Sequence, residues 1–106
     1  VSEYLDDVLN DVLLWRRRVF PNQSANSAVW KMAEEFDEFM DSADFGGSKF
    51  DLDELADVLI TLVGVVDLTC GWRKFVKTLD SKHQKNKDRT WVVDEQGMGQ
   101  HVEEGE

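Results

Sequence analysis

The sequence is poor in constraints that would hold a chain together without a core. Of its 106 residues, one is cysteine and one is proline. The lone Cys70 excludes an intramolecular disulfide, so a reducing, cytoplasmic setting is expected, with Cys70 an inert thiol in the core. Glycine gathers at 46–47, 64, 71 and 97–99, and Pro21 is the only proline to break the chain. Positive charge is scarce: 12 Lys and Arg against 22 Asp and Glu leave a formal charge of −10. Such a surface repels phosphate backbones and anionic lipid, so neither nucleic acid nor a membrane is an expected partner. The apolar run 58–66 is too short to span a bilayer. Glu3, Asp6 and Asp7 stand where an export signal needs basic residues, so none is expected. Neither histidine, His83 or His101, follows a glutamate by three residues, which excludes the Glu-x-x-His pairs of a carboxylate-bridged di-iron bundle.

What is present is the composition of a single globular domain, 42% hydrophobic and 32% charged. Between the breakers, apolar residues recur at three- and four-residue steps, which predicts helices over about 2–19, 27–43, 52–70 and 72–87. Leu5, Val8, Leu9, Val12, Leu13 and Val19 form the stripe of the first helix. Val29, Met32, Ala33, Phe36, Met40 and Ala43 form that of the second, with Asn26 or Ser27 as its N-cap. The third has the clearest start: Asp51 as N-cap, Glu54 closing a capping box, Phe50 paired with Leu55, and Gly71 ending the helix. On the fourth, Trp72, Phe75, Val76 and Leu79 are expected to face inward. The tail, 88–106, reads as a short β-hairpin or extended arm whose last four residues are solvated. The expected class is all-α, a four-helix bundle. The third helix is apolar almost all round and needs cover on every side, which points to a homodimer or homotetramer.

Carboxylates crowd the ends of this apolar framework. Glu35 and Glu38 share a face of the second helix, and Glu54 and Asp57 share one of the third. Asp57 lies a full turn inside the apolar helix, where an unpaired carboxylate costs several kcal/mol, on the order of a lost buried charge, unless it is protonated or ligated. Two such pairs on adjacent antiparallel helices can converge on all-oxygen coordination suited to Mg2+ or Mn2+. Spacing leaves a choice open, because Glu34, Asp37 and Asp41 form a rival acidic stripe on the second helix. On the fourth helix the apolar stripe continues at helical steps into Lys82, Asn86 and Arg89, a set suited to phosphate contacts. Carboxylates for a metal together with cations and an amide suit a polyphosphate substrate.

Three segments, in order, resemble a known family. "EEFDE" at 34–38 matches the EExxE of the MazG-like nucleoside triphosphate pyrophosphohydrolases, "ELAD" at 54–57 their ExxD, and "KHQKNKDR" at 82–89 a KxxxNxxR element. The resemblance covers about residues 28–91. It implies a four-helix MazG-like fold and hydrolysis of a (deoxy)nucleoside triphosphate to the monophosphate and pyrophosphate with Mg2+, or Mn2+. It implies Glu35, Glu38, Glu54 and Asp57 as metal ligands, with Glu34 holding a second ion or orienting the attacking water. Lys82, Asn86 and Arg89 would hold phosphates. Trp15, Phe20, Trp30 and Trp91 are each large enough to stack on a base, although core packing is the expected role of each. The competing reading is a non-enzymatic, acidic, antitoxin-like or regulatory helical binding protein whose carboxylates are a solvated interaction face.

Overall fold

A computed structural model describes residues 3–43 and 49–102. The expected helix start at residue 2, the glycine break at 46–47 and the tail at 103–106 lie outside the described residues. The elements run α1 (Glu3–Val19), α2 (Ala25–Ser42), α3 (Leu52–Thr69), α4 (Trp72–Asp88), β1 (Trp91–Val93) and β2 (Gly99–His101). By contacts the chain falls into two compact units, Val1–Trp72 and Arg73–Glu106.

In the first unit the helix ends are set by local chemistry. Phe20 N–H closes the last turn of α1 on the Arg16 carbonyl at 2.8 Å, and Pro21 follows. The N-cap of α2 is Ser24, not Asn26 or Ser27: its backbone is extended and its hydroxyl accepts from Ser27 N–H at 3.1 Å. The helix therefore begins two residues before the expected start. Asp51 caps α3 as expected, accepting from Asp53 and Glu54 N–H at 3.0 and 3.2 Å. Gly71 ends α3 at φ +81°, a conformation that a side chain resists, and returns its N–H to the Val66 carbonyl at 2.8 Å.

α3 packs against both α2 and α1. Its buried positions are Thr61, Val63, Gly64 and Val66, and α2 brings Ala28 to full burial. Small side chains let the helices approach closely, so Ala28→Leu would overpack the contact at a cost of about 1–3 kcal/mol. The inward face of α2 runs through Ala28, Met32, Glu35 and Phe39. That is one position round from the expected stripe, whose Val29, Phe36 and Met40 are exposed. Two more expectations are corrected here. Cys70 is exposed rather than in the core, and Asp57 is exposed rather than desolvated within α3. Asp57 shares a face of α3 with the buried Thr61 and Gly64 but stands a turn nearer the start of the helix, where α3 is exposed.

α4, which lies in the second unit except for its first residue, buries no residue: Trp72 and Phe75 are half-buried, and Val76 and Leu79 are exposed instead of facing inward. The hairpin is the expected one, antiparallel with Trp91 opposite His101 and Val93 opposite Gly99. Gly97 at φ +82° makes its turn, and Trp91 donates its indole N–H to the Asn86 carbonyl at 2.6 Å, tying β1 to the end of α4. Among the described residues no single helix is long and apolar enough to cross a membrane.

Candidate functional site

The shift of the inward face of α2 decides which acidic stripe meets α3. Glu35 turns inward, its side chain 12% exposed, whereas that of Glu34 is 59% exposed. Glu38 lies one turn on from Glu35, and Glu54 comes from the first turn of α3. One carboxylate oxygen from each of Glu35, Glu38 and Glu54 lies within 4.8 Å of the others. Glu54 does not use its side chain to complete the capping box; its Oε2, like Oε2 of Glu35, is buried with no hydrogen-bond partner. Two buried oxygens without donors are costly to leave so, and a hard cation would satisfy both.

The charges bear the strain. Glu38 is raised above the ordinary glutamate range by a hydrogen bond with Glu35 and by that group's charge, with smaller contributions from burial, Glu54 and Glu34. Glu54 is raised first by burial and then by the charges of Asp51, Asp57, Glu35 and Asp53. Like charges this close hold protons that a divalent cation would displace. The donor set is all oxygen, and it fits Mg2+ or Mn2+.

The other expected residues fall around this cluster. Asp57, one turn along α3 from Glu54, lies outside the three but lines a cavity with Glu35. Glu34 points to Lys31, 3.5 Å away, and the same ammonium pairs with Glu35 at 3.2 Å. The pairing with Glu35 is the main reason that Lys31 holds its proton more tightly than usual. In the second unit Lys82 and Asn86 line one cavity together with His83, and Asn86 Oδ1 is buried without a partner. Arg89 follows α4, its N–H on the Asn86 carbonyl at 3.3 Å. Trp30 is 77% exposed, which removes the expected core role from that indole.

Three residues escaped the sequence reading: Lys31, Gln23 and Arg16. Arg16 stands four residues after Val12 and three after Leu13, on the apolar stripe of α1, and that position was the available signal. Its residue exposure is 7%.

These features define an all-α chain with a carboxylate cluster competent for a divalent cation. No protein-family model and no curated protein matches the sequence. Among solved structures, the MazG-like pyrophosphohydrolase of cyanophage S-2L, bound to dGDP and three catalytic Mn2+ ions per active site, matches with a TM-score of 0.69. The match covers 92% of this chain and 96% of that one at 21% identity. The fold is that of a MazG-like pyrophosphohydrolase, as the three motifs imply.

Proposed function

We propose that this protein hydrolyses a nucleoside triphosphate to the monophosphate and pyrophosphate, with Mg2+ or Mn2+ as cofactor. The observation that carries the reading is the convergence of Glu35, Glu38 and Glu54, two of them with buried, unpartnered oxygens. The fold shared with a pyrophosphohydrolase bound to dGDP and Mn2+ supports it.

In this reading Glu35, Glu38, Glu54 and Asp57 hold the cation, which supplies charge to offset that building on the phosphoryl oxygens. Glu34 holds a second ion or orients the attacking water. Lys31 balances part of the acidic charge and keeps the Glu35 carboxylate in place. Lys82, Asn86 and Arg89 are assigned to phosphate groups on the motif they share, with Lys82 and Asn86 one turn apart on α4 and Arg89 just past its end. A homodimer or homotetramer is the working assembly; the support is the row of apolar side chains on α1 and α3 (Leu5, Val8, Leu55 and Leu59), each 40–45% exposed in the single chain.

The test is a panel of ribo- and deoxyribonucleoside triphosphates assayed for pyrophosphate release with Mg2+ and with Mn2+. Release from at least one of them, lost in Glu38→Gln, is expected. If no nucleotide yields pyrophosphate with either metal, the acidic binding protein becomes the better reading.

A further inference from the structure

The cavity beside Glu35 and Asp57 holds about 300 Å³, and two helices give it a direction. Along the α2 side, Ser27, Lys31 and Glu35 line it at four-residue steps, with Gln23 one step earlier, before the helix begins. Along α3 it runs from Asp57 through Ile60 and Thr61 towards Gly64, where Arg16 packs. Asp57 and Gly64 are separated by about 10 Å of helical rise. One end is therefore acidic and lies at the metal cluster. The other end is made by Arg16 and Gln23, with Trp15, Phe20 and Ile60 as its walls.

Arg16 is set there under constraint. Its guanidinium sits over the Phe20 ring at 5.4 Å, and a Cβ on Gly64 would collide with it. A cation this buried ordinarily takes a carboxylate. Asp67 is close enough to act on Arg16 by charge, but Arg17 grips both of its oxygens, at 2.6 and 3.1 Å. The partner left to Arg16 is neutral: Gln23 Oε1, 2.6 Å from Nη2. Arginine has no acceptor, so Gln23 must face it with its carbonyl oxygen, and the Nε2 amide keeps both N–H groups. Arg16 thus brings only donors, and Gln23 adds the two of its amide while its Oε1 is engaged by Arg16. The acceptors in the cavity are the hydroxyls of Ser27 and Thr61 and the carboxylates at the metal end.

We propose that this end receives the base of the nucleotide and selects a 6-oxopurine. O6 and N7 of such a base offer two adjacent acceptors to Arg16 and Gln23, whereas adenine turns an amino donor towards them. The aromatic walls suit the faces of a base. Phosphates belong at the acidic end with the cation, and a nucleoside spans the distance between the two. This inference rests on the nucleotide reading above.

The test compares binding of the α,β-imido triphosphates of inosine and adenosine to the full chain with Mg2+, by titration calorimetry. The two purines differ at C6 and at the N1 proton that goes with it. Inosine should bind tighter by about tenfold or more. Gln23→Glu pairs with Arg16 and removes the free N–H groups, so it should bring the ratio close to one without lowering the melting temperature. Arg16→Met should do the same to the ratio. Equal wild-type affinities, or a ratio that Gln23→Glu leaves unchanged, would overturn the proposal. So would Arg16→Met weakening both nucleotides and inorganic triphosphate alike, which would make Arg16 a phosphate contact. Pyrophosphate release without preference for the base defeats this inference alone; failure of both analogues to bind defeats the nucleotide reading with it.

Discussion

Glu54 and Asp94 are both acidic side chains at the opening of a turn of backbone, and their surroundings are opposite. Asp94 is saturated: Oδ1 accepts from Gln96 and Met98 N–H at 3.0 and 2.9 Å, and Oδ2 from Gln100 Nε2 at 3.2 Å. The Met98 bond is the main cause of its depressed pKa. Glu54 has a buried oxygen with no donor and other acids around it, and its pKa is raised. A carboxylate that builds a turn is given its donors by the chain. One that is kept short of donors among like charges is suited to a partner from outside.

The comparison breaks most visibly in turnover. Glu54→Gln should cost on the order of a hundredfold or more in pyrophosphate release while the metal-free fold melts no lower than wild type. A variant that loses activity only because it unfolds would give Glu54 a structural role instead. Next in size is the response to metal. Mg2+ or Mn2+ at about a hundred times its Kd should raise Tm by on the order of 10 °C, because only the native state gathers the carboxylates. A chelator should reverse the rise, Glu54→Gln should remove most of it, and Asp94→Asn should leave it intact.

Acidity separates the two regions by sign. Glu38 and Glu54 bind protons more readily in the folded chain, so the metal-free protein should lose stability as pH rises from 4.5 through their raised values. Asp94 contributes stability above 3.8 that is lost as pH falls through its depressed value. Melting temperatures measured with chelator should fall as pH rises from 4.5 to neutral. Glu54→Gln should flatten that slope; an unchanged slope would assign it to other groups. The smallest effect belongs to Asp94→Ala. It should leave the melt almost unmoved while the Gln96 and Met98 amides lose their protection from hydrogen exchange. Retained protection would show that Gly97 and the strand pairing hold the turn without the carboxylate.

Much of the architecture was legible along the chain, because it depends on groups within one turn of each other. Pro21 after α1, Asp51 at the start of α3, Gly71 at its end and the hairpin around Gly97 act on neighbouring backbone, and they stand where the sequence puts them. The cap of α2 was misplaced by two or three residues for a related reason. Ser24, Asn26 and Ser27 can all cap, and only the backbone conformation at Ser24 chooses among them. The EExxE and ExxD motifs fall on α2 and α3, the helices that bring Glu35, Glu38 and Glu54 together.

What the sequence by itself determined, then, is four helices, most of their ends, a C-terminal hairpin and an excess of acid beside an apolar helix. The inward side of each helix was decided by tertiary structure. Neighbouring residues on a helix are about 100° apart, so Glu34 and Glu35 are equivalent candidates until α3 packs against Ala28 and carries Glu35 inward. The apolar stripe of α2 is wide enough to permit either rotation, and close approach at small residues favours the one observed. The burial of Arg16 was fixed in the same way. It needs Gly64, 48 residues away, to leave the space that its guanidinium fills, and no local pattern encodes an absence so distant.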